Sequence, residues 1–344
     1  METALPLVSF CLMCYNQEKY IASALYSALN QSYSPLEIVV SDDCSSDNSW
    51  NIIQNIVNNY SGDKTIILNR NEKNLGMGLN WCKLCSLATG ILLFKGDGDD
   101  ISDTKRVSIV VDDWIKNGRR ALLISHSYSH IDLQGKNIGA CILPIKGEDK
   151  RSPENIYMGR GFFHPGTGSA YHRRLYEEFG DFSVQNAPDD AVFVGRAVLL
   201  GGGRMPNLIR VVPDILVQYR IGSGATTFTK QYRQGMIRGL NLGVNAQVQM
   251  LNDLRHVSAH LSKEDFHKFE NLFNSRLNHL TNVLKLYQGR SFSERFVGYK
   301  EARGKNIIST YNIINVLLLL PKSIGDFLLN TLLFIKYLIN KIVK

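Results

Sequence analysis

Near residue 100 the chain reads ILLFKGDGDDISD, an apolar run that ends in Asp97, Asp99, Asp100 and Asp103. Carboxylates this close repel one another, and an unpaired buried carboxylate is costly. Either water solvates the group or a cation sits among it. The Asp-X-Asp spacing of Asp97 and Asp99 lets two carboxylates share one divalent ion. Mg2+ and Mn2+ prefer oxygen donors and often take only one or two protein carboxylates, leaving the other positions to phosphate oxygens. A cation that arrives with a diphosphate therefore suits the pattern. Other chemistries fail on spacing. An EF-hand loop counted from Asp97 needs Gly and Glu where Ser102 and Ser108 stand. No GxxxxGK[ST] is present, GMGLNW lacks the third glycine of a dinucleotide fingerprint, and no serine nucleophile elbow stands out.

The elements that must position these acids follow from hydrophobic periodicity. Apolar runs at 7–14, 36–40, 64–69, 91–95 and 120–131 read as strands. Between them lie helical patterns, with Ile21, Leu25, Ala28 and Leu29 on one stripe and Ile52, Ile53, Ile56 and Val57 on the next. Ser46 or Asp47 is placed to cap that second helix, and Asp103 to cap the one after the acids. Unbroken apolar strands alternating with helices mark a mostly parallel sheet covered on both faces. Ligands of such sheets bind at the carboxyl ends of the strands. Two strands end in acids there, at Asp42–Asp43 and at Asp97–Asp100. The middle, about 140–225, is glycine-rich and less regular. From about 230 to 289 the pattern turns helical again, with Ser262 and Asp265 in capping-box spacing.

Bulk properties narrow the class. A chain of 344 residues that is 44% hydrophobic and 20% charged can bury a sizeable core. Two pairs among the six cysteines have CxxC spacing, but Cys11 and Cys14 lie in a strand and Cys82 and Cys85 in a helix. Neither pair has zinc-knuckle context, so buried thiols in a reducing, cytosolic setting are expected. No secretory leader is expected from the N-terminal residues. The net charge of +8 is concentrated late, with ten Lys or Arg against three Asp or Glu between Lys285 and Lys344. There INVLLLLPKSIGDFLLNTLLFIKYLINKIVK is apolar but broken by Pro321, Gly325 and Asp326, too short of charge-free length to span a bilayer. Basic and apolar character together suit helices lying on an anionic membrane surface; packing on the domain or on a partner is the alternative. A nucleic-acid groove is not expected.

The ordered set VSFCLMCYNQEKYIASALYSALNQSY, EIVVSDDCSSDNS, NLGMGLNWC and ATGILLFKGDGDD resembles the family 2 nucleotide-diphospho-sugar glycosyltransferases of the GT-A fold, over roughly residues 6–225. The resemblance implies an α/β GT-A catalytic domain at 1–226; the patterns beyond it read as a helical extension at 227–310 and membrane-surface helices at 311–344. It implies a nucleotide-diphospho-sugar donor, held by Tyr15, Asn16, Asp43, Asn74 and Asp97, and Mn2+ or Mg2+ on Asp97 and Asp99. Asp42 then shapes the turn, and Cys44 stands where the family usually has glycine. Asp190 becomes the base that deprotonates the acceptor hydroxyl, with Asp189 orienting the acceptor, and the reaction inverts configuration; otherwise the two acids only complement a helix dipole. Arg220 pairs either with phosphate or with a structural acid, and the histidine often found nearby is absent. His164 lines the acceptor pocket or is a structural histidine. The acceptor is a glycan or lipid-linked glycan at the cytoplasmic membrane face, in surface polysaccharide (O-antigen or capsule) assembly. A sugar-phosphate nucleotidyltransferase is the rival enzyme, disfavoured because CYNQEKY after the first strand carries no glycine. An inactive GT-A-like binding protein is the other rival.

Overall fold

The computed structural model describes residues 4–143, 147–148, 166–201, 208–222 and 232–288, with Ser291, Ser293, Glu294 and Phe296. His164, the expected boundary at 226 and the whole 311–344 segment lie outside the described residues. The first half alternates as its apolar runs predict: β1 (Val8–Cys14), α1 (Ile21–Leu29), β2 (Leu36–Asp42), α2 (Ser49–Asn58), β3 (Thr65–Arg70), α3 (Met77–Leu87), β4 (Leu92–Asp97), β5 (Ile101–Ser102), α4 (Arg106–Lys116) and β6 (Leu123–Ile131). The second half adds β7 (Asn137–Cys141), β8 (Gly147–Glu148), β9 (Ser169–His172), α5 (Arg174–Glu177), α6 (Asp189–Leu200), β10 (Ile209–Arg220), α7 (Tyr232–His256) and α8 (Lys263–Gln288).

The described strands form one sheet in the order β3-β2-β1-β4-β9-β6-β10-β5, with β7 beside β6 and β8 beside β10. Strands β3, β2, β1 and β4 are mutually parallel, as are β6 and β10. Strand β9 runs antiparallel between β4 and β6. Two reversals leave β6 and β10 pointing the same way as β4, so six carboxyl ends share one edge.

Alternation along β1 splits the core. Cys11 and Met13 face α3, α5, α6, α7 and α8, whereas Phe10, Leu12 and Cys14 face α1, α2 and α4. The four CxxC cysteines are buried as free thiols, and burial pushes Cys14 and Cys82 each up to about 12. On the first face Trp81 of α3 meets Tyr171 of β9 and Phe193 of α6 edge-on, with centroids 5.6 and 5.7 Å away. Each such pair is worth about 0.5–1.5 kcal/mol beyond its buried area. The helical segment after 230 divides at Ser262, whose Oγ accepts the Asp265 N–H at 3.0 Å, the expected capping contact. Its first helix is bolted to α6: Arg196 donates to both oxygens of Asp253 (2.8 and 3.3 Å) and to the carbonyls of Leu175 and Gly180. Arg196 is fully buried among the rings of Phe179, Phe182 and Phe193. None of the described helices is long and apolar enough to cross a membrane.

Candidate active site

Parallel pairing sets the site. Met13 is level with Asp97 and Cys14 with Asp42, so the acidic ends of β2 and β4 flank the end of β1. Two strand spacings separate them, about 10 Å. The turn from β4 to β5 then carries Asp99 and Asp100, both buried. Gly98 makes this turn possible: a Cβ there would lie 2.4 Å from Gln17 Oε1 and 2.9 Å from the Met13 carbonyl.

The positive group that the acids require is in the strand itself. Lys95 is 3% exposed, and its Nζ lies 2.8 Å from Asp189 Oδ2 and 3.5 Å from Asp97 Oδ1. Burial disfavours the ammonium, but the charge of Asp189 and then of Asp97 outweighs it, so Lys95 is held protonated well above its usual pKa. Asp189 and Asp190 open α6 behind Pro188, which brings both acids of that pair to the end of β4. Burial, then the negative charge of Asp189, raises the Asp190 carboxyl to about 6. Burial and then the charges of Asp99 and Asp97 push Asp100 well above the carboxylate range. Lys95 was legible as a lone lysine inside a buried run, since a buried ammonium demands a partner; its partner on α6 was not.

A second cation supports the strand from the opposite face. Fully buried Arg106 lies between Phe10 and Phe94 and donates to the carbonyls of Lys95 (2.9 Å) and Ser169 (3.2 Å), tying β4 to the start of β9. Its Nε donates to His126 Nε2 at 2.9 Å. Burial, then the Arg106 charge, lowers His126 to about 3, so a neutral ring accepts there and donates Nδ1–H to the Ser127 carbonyl.

The remaining candidates divide between turn building and exposure. Both Asp43 oxygens are engaged: Oδ1 accepts from Asn71 Nδ2 and Leu75 N–H (2.8 Å each), Oδ2 from Gly76 N–H (2.9 Å). Asn16 closes the turn after β1 by accepting the Ser46 N–H at 2.8 Å, from a left-handed backbone with φ 52°. Asp42 accepts from Ser45 and faces Arg70, consistent with a turn-shaping role. Cys44 adopts φ 60°, the conformation for which glycine is ordinarily used, at a cost on the order of 1 kcal/mol. Tyr15 and Asn74 are exposed at the rim. Arg220, at the end of β10, donates Nε–H to the Asp99 carbonyl (2.9 Å) and Nη1–H to that of Asp132 (2.8 Å), and its backbone N–H goes to Asp100 Oδ1 (2.8 Å). Its guanidinium also stacks 4.4 Å above the Tyr20 ring. Asp103 accepts the Lys105 N–H at 2.8 Å and so shapes the turn before α4, whose N-cap residue is Lys105 rather than the expected Asp103.

The acids suit a hard divalent cation. Asp97 and Asp99 offer two carboxylates, and beside them Asp100 Oδ2 is buried with no hydrogen-bond partner of good geometry among the described residues. No set of three or more His, Cys, Asp or Glu closes on a metal position among the described residues. Two carboxylates with the other positions left to phosphate and water is what Mg2+ or Mn2+ accepts.

The family profile described as Glycosyl transferase family 2 matches residues 9–180, half of the chain. The chain belongs to glycosyl transferase family 2. This family 2 chain is 31% identical to the chondroitin synthase of Escherichia coli over 185 residues, 54% of the chain and 25% of that protein. It is 38% identical over 96 residues to the abequosyltransferase RfbV of Salmonella typhimurium (strain LT2), covering 27% of the chain and 28% of the relative. The curated relatives it matches are longer than the shared segment, which spans 25–52% of their own length in three of them. Among solved structures it superposes on S. aureus TarS 1-349 with a TM-score of 0.55 at 16% identity, covering 92% of the chain and 82% of that structure. The mannosyltransferase PcManGT of Pyrobaculum calidifontis, in complex with GDP-Man and Mn2+, gives 0.52 at 18% identity over 96% and 88%. The fold is GT-A.

Proposed function

We propose that this chain is an inverting, metal-dependent glycosyltransferase that moves a sugar from a nucleotide-diphospho-sugar to a glycan or lipid-linked acceptor. The observation that carries this is the single Lys95 ammonium held between Asp97 on the donor-side strand end and Asp189 on α6. It supports this reading because one acid from each group, Asp97 and Asp189, meets the same ammonium. Asp97 and Asp99 would hold the Mn2+ or Mg2+, which when bound offsets the charge gathering on the departing nucleoside diphosphate. Asp190 takes the proton of the acceptor hydroxyl as that oxygen attacks the anomeric carbon. The bond from that carbon to the diphosphate oxygen breaks on the opposite face, which inverts configuration. A carboxyl raised to about 6 is still ionised at neutral pH and is a stronger base than an ordinary aspartate. Asp189, paired to Lys95, orients the acceptor.

Surface polysaccharide assembly, which we assign to the cytoplasmic face of a membrane, is supported as to substrate by the names of the relatives, one of which is a glucosyltransferase acting on a diphosphoundecaprenol-linked sugar. The basic, apolar stretch 311–344 supports a peripheral hold on anionic lipid. A panel of nucleotide sugars with Mn2+ or Mg2+, scored by nucleotide release, identifies the donor. With it, Asp99→Ala is expected to weaken metal-dependent donor binding, and Asp190→Ala to leave donor binding intact while abolishing transfer. Normal transfer by Asp190→Ala removes the base assignment.

A further inference from the structure

Lys95 has a role in neither metal binding nor proton transfer as described, yet its placement is strongly constrained. It is 3% exposed and its partner Asp189 is 1% exposed. The 2.8 Å contact from Lys95 Nζ to Asp189 Oδ2 sets a charge of opposite sign directly against this buried carboxylate. The backbone of Lys95 is anchored as well, through its carbonyl to Arg106. Above the ammonium lies Gly166, where a Cβ would stand 2.4 Å from Nζ and 3.0 Å from Cδ. The turn that leads into β9 therefore leaves room for this side chain in one path. A flexible lysine is thereby fixed at both ends and from above, at the junction of β4 and the first turn of α6.

We propose that Lys95 is a positioning residue: by bridging Asp97 and Asp189 it fixes the distance between the diphosphate site at the end of β4 and the Asp190 carboxyl at the start of α6. This rests on the sugar-transfer reading above. Without the bridge, α6 is free to settle away from the strand end, and a displacement of ~1 Å at the reacting groups costs on the order of 100-fold in rate. The effect falls on kcat, because the bridge sets the spacing of the two sites, while Asp97 and Asp99 themselves remain to hold the donor.

The full chain is assayed with the active donor from the panel, as wild type, Lys95→Met, Asp189→Asn, the double variant and Gly166→Ala. Lys95→Met is expected to lower kcat about 100-fold with donor KM within about twofold of wild type. In the Asp189→Asn background the same change is expected to cost less than about threefold more, because the two residues form one unit. Gly166→Ala displaces the ammonium without removing it and is expected to reproduce the kcat loss. It decides the matter if Lys95→Met does not fold. Unchanged kcat in Gly166→Ala, a loss carried by KM, or a full further loss in the Asp189→Asn background each overturns the proposal and leaves sugar transfer standing. Wild-type protein that turns over no nucleotide sugar overturns sugar transfer and this proposal with it.

Discussion

Replacing Arg196 by methionine tests whether the helical segment after 230 is part of the catalytic body. Arg196 lies in α6, seven residues beyond Asp189, and it fastens that helix to α7 through Asp253. Methionine keeps much of the volume against Phe179, Phe182 and Phe193 but removes four donated hydrogen bonds. It leaves Asp253, 3% exposed, leaning on the Gln249 amide, which donates to it at 2.8 Å. Removing one partner of a buried ion pair costs about 3–5 kcal/mol, because the other charge stays buried. The carbonyls of Leu175 and Gly180 lose a donor too, which places the expectation at the upper part of that range. Replacing both partners, as Arg196→Met with Asp253→Leu, removes the stranded charge and is expected to recover at least ~2 kcal/mol of the loss. Urea unfolding of the four proteins of this cycle gives the numbers, with m-values checked for constancy. A cost below ~1 kcal/mol for Arg196→Met, or simple additivity of the two changes, would refute the reasoning.

Three further outcomes are expected. Transfer should rise with pH through about 6 and level off above it, since Asp190 must be ionised to accept a proton; Asp189→Asn removes the neighbouring negative charge and should move that limb to lower pH, and a limb that stays in place denies the coupling. Gly98→Ala forces a methyl against Gln17 Oε1 and the Met13 carbonyl, so the Asp97–Asp99 turn shifts; nucleoside diphosphate binding measured by calorimetry should weaken, with stability lower by about 1–3 kcal/mol. Removal of divalent cations by chelation should abolish nucleotide release and added Mn2+ or Mg2+ should restore it, and an undiminished rate in chelator would exclude the cation.

How much of this was legible depends on whether the signal was local. Strands β1, β2 and β4 are buried runs, apolar but for a few polar residues such as Glu37 and Lys95, and their parallel pairing follows from the helices between them. That sufficed to bring Asp42–Asp43 and Asp97–Asp100 to one edge. Strand β9 is only SAYH, too short to show a period, and its antiparallel place between β4 and β6 depends on partners far away in sequence. Strand β10 carries Pro213 and Asp214 in its middle, where the pairing with β6 shifts register, so its sequence reads as two fragments. The meeting of Asp189 with Lys95 is a contact across 94 positions, and no spacing rule reaches that far. Arg106 and Arg196 carry charge on helix faces that are otherwise mostly apolar; the stripe pattern assigns arginine to solvent, whereas both are fully buried and fully engaged.

The loop gripped by Asp43 has a consequence for how such a protein diversifies. Its course is dictated by main-chain donors at Leu75 and Gly76 and by Asn71 from within, while the side chains of Glu72, Lys73 and Asn74 project outward. Architecture and display are thus assigned to different atoms of one short segment. Exchanging those three outward side chains should alter stability by no more than ~0.5 kcal/mol each. Selection can therefore rewrite the rim facing a new ligand without renegotiating the fold beneath it.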